Sequence, residues 1–131
     1  MKKMLLMAAS LLAAAVPVLA HHSFAAEYDG NKAVALKGKL TEFEWVNPHS
    51  WVHLDVKDDQ GNMVNWTAET APPNILYRQG WRRDSIKPGD EIVVEGYLAK
   101  DGSHTVSAKS VQTADGKKLL AGTATDGAPQ K

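Results

Sequence analysis

Asn47-Pro48-His49-Ser50-Trp51-Val52-His53-Leu54-Asp55-Val56-Lys57 runs into Asp58-Asp59-Gln60-Gly61-Asn62 and then Met63-Val64-Asn65-Trp66-Thr67-Ala68-Glu69-Thr70. Val52, Leu54 and Val56 alternate with Trp51, His53 and Asp55, the period of a strand with one buried face. Pro48 cannot donate to a ladder and pushes Asn47 into an extended or turn conformation, so the strand starts after it. The Asp-Asp-Gln-Gly-Asn cluster is turn chemistry, and Met63 to Thr70 returns antiparallel as the second arm of a hairpin. This pairing predicts that Trp66 lands near His53 and that His49 faces Glu69 or Thr70.

Upstream, Val34 to Trp45 reads as a strand whose bulky members are Leu36, Leu40, Phe43 and Trp45. Its phase slips between Leu40 and Phe43, which predicts a bulge. Downstream, Pro72-Pro73 ends the hairpin, and Asn74 to Trp81 reads as a short helix with Ile75, Leu76 and Trp81 on one side and Gly80 limiting its length. Ser85 to Asp90 is a turn, Glu91 to Leu98 a strand, Asp101-Gly102 a turn, and His104 to Val111 the last strand. Three strands, a short helix and two strands predict an all-β chain built as a five-stranded OB-like Greek-key barrel plugged by the helix. A small open β-sandwich is the alternative.

The ends of the chain carry different signals. Lys2 and Lys3 precede an uncharged run of Leu, Met and Ala, Pro17 breaks it, and Val18-Leu19-Ala20 offers small or aliphatic residues to a signal peptidase. Residues 1–20 therefore read as a signal peptide, 21–33 as an amino-terminal segment, 34–120 as the barrel domain and 121–131 as a flexible tail. Export to the periplasm or beyond follows, with no membrane span left in the mature form. The whole chain has 15 basic and 15 acidic residues; loss of Lys2 and Lys3 leaves 13 against 15, a net charge near −2 with His neutral. That balance argues against a nucleic-acid partner. There is no cysteine, so neither a disulfide nor a thiolate site is available.

Cleavage after Ala20 would make His21 and His22 the first residues of the mature chain. An amino-terminal histidine offers its amine and a ring nitrogen to one ion, a chelate suited to Cu(II), and the histidine after it offers a competing one. Amines titrate near 8 and imidazoles near 6.5, so both can bind metal at neutral pH. Read without metal, the pair is a solvated end. His49 is the third metal candidate, with Glu69 as a partner behind it or a carboxylate ligand; otherwise its ring bonds a neighbouring carbonyl. His53, between aromatics, reads more readily as structural, with a place behind the ligands as its functional alternative. Trp45, Trp51 and Trp66 form a candidate stacking platform, since barrels of this type bind ligands on the face of their second and third strands; core packing is the plainer account. His104 follows a turn and reads as surface.

The residues show no nucleophile elbow, Cys/His pair or paired catalytic carboxylates, so a binding protein is expected and not an enzyme. His21-His22-Ser23-Phe24, Trp45-Val46-Asn47-Pro48-His49, Trp66 to Glu69, Leu76 to Trp81 and Ile86-Lys87-Pro88-Gly89-Asp90 together resemble a family of small exported bacterial proteins of unknown function, over nearly the whole mature chain. The resemblance implies the boundaries and the extracytoplasmic location. By analogy only, copper proteins with an amino-terminal histidine brace resemble the opening on a different fold, which points to His21 with His22 and His49 as ligands. The expectation is thus a periplasmic or secreted copper-binding protein. The alternative is a metal-free module for a small ligand, glycan or protein partner.

Overall fold

In the computed structural model, which describes residues 24–122, the quoted hairpin is present with the alternation intact. Strand β2 (Trp51–Lys57) pairs antiparallel with β3 (Met63–Glu69) in the register Trp51↔Glu69 through Lys57↔Met63. Val52 and Leu54 are wholly buried while Trp51, His53 and Asp55 lie half-buried on the other face. The turn between them is held by Asp58, whose carboxylate accepts the backbone N–H groups of Gln60 (2.9 Å) and Asn62 (2.8 Å). Gly61 supplies the positive φ of 83° that closes it.

The remaining elements are α1 (Phe24–Glu27), β1 (Tyr28–Glu44), α2 (Pro73–Arg78), β4 (Glu91–Ala99), β5 (Thr105–Gln112) and β6 (Lys118–Leu120). The strands neighbour one another in the order β3-β2-β1-β4-β5-β6, and a parallel pairing of β3 with β5 over Thr67–Glu69 and Thr105–Ser107 closes the first five into a ring. That connectivity, with α2 between β3 and β4, is the OB-type barrel. β1 serves two neighbours, meeting β4 up to Lys39 and β2 from Gly38 onward. The bulge foreseen after Leu40 is there, between Leu40 and Glu42. The turn before β4 braces it: Leu40 N–H donates to Asp90 O, and Gly89 N–H to Leu40 O, each at 2.8 Å. Tight curvature requires two side chains to be missing, since a Cβ on Gly38 would lie 2.2 Å from Asp55 O and one on Gly96 2.1 Å from Ser107 O.

The barrel interior is filled by Leu36, Leu40, Val52, Leu54, Ile92, Val94, Val106 and Val111, capped at one end by Leu76 and Trp81. Each such side chain contributes about 1.5–3 kcal/mol by leaving water. Helix α2 is too short to persist alone and is held by burying Leu76. Trp81 follows after Gly80, outside the helix, and its indole N–H donates to Leu120 O at 2.8 Å.

Three elements differ from the sequence expectation. β1 already begins at Tyr28, which pairs with Ala99; Asp29 to Lys32 break the register before Ala33 rejoins the ladder opposite Tyr97, and this stretch has no apolar period to show it. Helix α1 has only four residues, and strand β6 only three, below the length at which periodicity speaks. Ala121 continues from β6 between the diverging ends of β3 and β5, donating to Lys109 O (2.9 Å) and accepting from Ala71 N–H (2.7 Å). The segment expected to be cleaved, His21, His22 and the tail from 123 onward lie outside the described residues.

Candidate functional site

The segment that enters β2 is nailed to the segment that leaves β3. Ser50 N–H donates to Ala71 O (3.3 Å), while Ser50 O accepts both the backbone N–H and the hydroxyl of Thr70, each at 2.9 Å. This pairing extends the ladder past Trp51 and sets the His49 ring against Thr70, with Nδ1 at 3.0 Å from the Thr70 carbonyl oxygen and 3.4 Å from Oε1 of Glu69. A carbonyl oxygen can only accept, so Nδ1 carries the proton. The lone pair of His49 is therefore on Nε2, which has no hydrogen-bond partner among the described residues. The side chain is 38% exposed. The cross-strand expectation for His49 and Glu69 describes this geometry within one residue.

Glu69 is held from its other oxygen. The Tyr28 hydroxyl donates to Oε2, and Tyr28, the first residue of β1, is itself buried. Burial, together with the hydrogen bond and charge of Glu69, pushes the phenol well above its usual range, so it remains a donor. The Tyr28 ring stacks on Phe24 with centroids 5.7 Å apart, and Phe24 meets Tyr97 edge-on at 5.4 Å. These rings moor the start of the described chain at the end of the barrel where Glu69 and His49 stand. A cleft of about 520 Å³ opens beside them, lined by Tyr28, Trp51, Glu69, Lys100, Asp101 and Thr105 among others. Phe24 belongs to the opening motif His21-His22-Ser23-Phe24, whereas Tyr28 carried no signal in the sequence beyond its i, i+4 spacing from Phe24.

His53 is bound quite differently. Nε2 donates to Glu44 Oε2 at 2.7 Å, and Nδ1 accepts the Thr67 hydroxyl at 3.1 Å, so both nitrogens are engaged in a link across β1, β2 and β3. The tryptophans do not assemble into one platform. Trp51 lies on the outer face at the cleft, whereas Trp66, opposite Leu54 in the ladder, takes the inner side and packs against the core. The expectation that Trp66 sits beside His53 fails for the same reason: the partner of His53 is Thr67, and one residue of register reverses the face. Trp66 instead meets the exposed ring of His104 at 4.8 Å, and Trp45 packs edge-on against Phe43 at 5.9 Å.

Among the described residues, no three His, Cys, Asp or Glu side chains are gathered to hold a metal ion, and no helix is long and apolar enough to cross a membrane.

Fold and site define a small OB-type β-barrel that presents one oriented histidine near a cleft with mixed apolar and charged walls. Residues 8–108 match the family described as Family of unknown function (DUF6152), and the chain belongs to it. The match spans the Asn47-Pro48-His49, Trp66 to Glu69 and Lys87-Pro88-Gly89-Asp90 pieces. No curated protein shows significant similarity to the chain.

Proposed function

We propose that the protein is an exported, extracytoplasmic copper-binding protein and not an enzyme. Its site would be made by the amine and ring of His21, the ring of His22 and Nε2 of His49. The observation that carries this reading is the hydrogen bond from His49 Nδ1 to Thr70 O, which turns an unprotonated Nε2 outward. Ligating histidines are characteristically oriented in this way by a carbonyl or carboxylate on the second nitrogen. Phe24 is moored to Tyr28, which bonds Glu69, which neighbours His49. His22 precedes Phe24 by two residues, at most about 7 Å of chain. Nitrogen donors of this kind, with one carboxylate nearby, suit Cu(II).

The cleft supports a second reading. Its volume of about 520 Å³ and its Trp51 wall fit a metal-free module that takes a small ligand, glycan or protein segment. The two readings part on one preparation. Protein recovered from the cell-envelope fraction of a copper-supplemented culture should begin at His21 by intact mass and carry close to equimolar copper. A mature chain that starts elsewhere, or that stays copper-free, favours the cleft.

A further inference from the structure

We infer that the cleft beside Trp51 binds a small organic cation, a primary ammonium group carried on an apolar stem. The inference deepens the metal-free reading of that cleft, on which it rests, and does not depend on copper. Backbone register builds the floor. Trp51 and Glu69 are direct partners in the ladder of β2 with β3, so their side chains leave the same outer face with Cβ atoms about 4.5–5.5 Å apart. Thr105 joins that face through the parallel pairing of β3 with β5, where it stands opposite Thr67, two residues before Glu69. Helix α1, Tyr28 and the turn at Asp101 supply the walls. The helix is tied to the end of β4, since Lys100 donates its backbone N–H to Glu27 O (2.8 Å) and its Nζ to Ala25 O (2.5 Å).

The charges on this lining are Glu27, Glu69 and Asp101 against Lys100 alone, and the ammonium of Lys100 is turned to a carbonyl of α1. Glu69 is a fixed carboxylate, 17% exposed and held at Oε2 by the Tyr28 hydroxyl. Asp101 stays ionised, because hydrogen bonds from the side chain and the backbone N–H of Ser103 hold its carboxyl below the usual range. A cleft with an excess of one charge concentrates ions of the other sign. The half-buried indole of Trp51 adds a π face that attracts a cation, and Ala26 and Ala99 add apolar surface for a stem. A neutral sugar could stack on Trp51 but gains nothing from the carboxylate excess, and an anion is repelled by it. The volume of about 520 Å³ is that of a small-molecule site.

Three probes on one stem test the choice: 2-phenylethylammonium, 2-phenylethanol and 3-phenylpropanoate, each titrated at neutral pH into the purified, metal-stripped protein and followed by 1H–15N NMR. The ammonium should shift the signals of Trp51, Glu69 and Thr105 and bind at least tenfold more tightly than the alcohol, while the carboxylate should not bind. Glu69→Gln should weaken the ammonium by roughly tenfold, as the loss of a charged hydrogen-bond acceptor does. Trp51→Leu should weaken it roughly two- to fivefold. Glu91→Gln makes the same change of net charge at the opposite end of β4 and should leave affinity unchanged. If Glu69→Gln fails to fold, Asp101→Asn on its exposed turn should still weaken binding a few-fold, and added salt should weaken it in the wild type. An alcohol that binds at these residues as tightly as the ammonium overturns the inference and leaves the metal-free reading standing. So does an ammonium whose affinity falls equally with Glu91→Gln. If no probe moves the cleft signals, the inference falls together with the reading it rests on.

Discussion

His49, just before β2, and His53, within it, stand four residues apart, yet the structure treats them as opposites. His53 has both nitrogens engaged, by Glu44 and Thr67, and so ties three strands together. His49 has one nitrogen engaged, by the Thr70 carbonyl with Glu69 3.4 Å away, and presents the other. Exposure alone does not separate them strongly, at 38% and 21% of the side chain. The difference is in the partners: a ring between a carboxylate and a hydroxyl is a structural link, while a ring backed by a carbonyl is a poised donor.

The largest expected effect tests the strand alternation that puts His53 on the outer face. Leu54, next to His53 in sequence, is wholly buried, and Leu54→Ala should cost about 2–5 kcal/mol in unfolding free energy. A midpoint that barely moves in denaturant would mean that the faces of β2 are reversed. The histidines themselves come next. His49→Ala should weaken copper binding by more than the roughly 10–100-fold that outer partners contribute, with little change in stability. His53→Ala should do the reverse, lowering stability by about 1–3 kcal/mol through the unpaired Glu44 and Thr67 while leaving copper affinity in place. Equal effects on copper would erase the distinction.

The smallest effect concerns alkaline pH. The phenol of Tyr28 is raised in the folded protein, so its contribution is complete below the unfolded tyrosine value near 10 and is lost as pH rises beyond it. Stability measured by chemical denaturation should therefore decline above about pH 10, and Tyr28→Phe should decline less steeply. Parallel declines would show that the Tyr28–Glu69 bond carries no such linkage.

Much of this molecule was legible before its structure. The alternation of Val52 and Leu54, the Asp58 to Asn62 turn and the phase slip after Leu40 each state a local rule that burial on one face enforces, and together they lead to the barrel. The His49–Glu69 neighbourhood followed from hairpin register. What stayed hidden had no periodic signature. Strand β6 is three residues long, and the early part of β1 is polar, its register broken between Tyr28 and Ala33. The placement of Trp66 hung on a single residue of register, which decides a face completely while leaving composition untouched. Tyr28 was invisible for another reason: its role comes from a hydroxyl meeting Glu69 across the sheet, a contact between residues distant in sequence.

The most direct test of the central claim is a Cu(II) titration, read by tryptophan quenching, of two otherwise identical chains. One begins at His21, and the other carries a single extra residue before it. The account expects the chain beginning at His21 to bind far more tightly, and to lose most of that advantage when His49 is replaced by Ala. Equal affinity in the two chains would contradict it, because the His21 amine would then contribute nothing to the site.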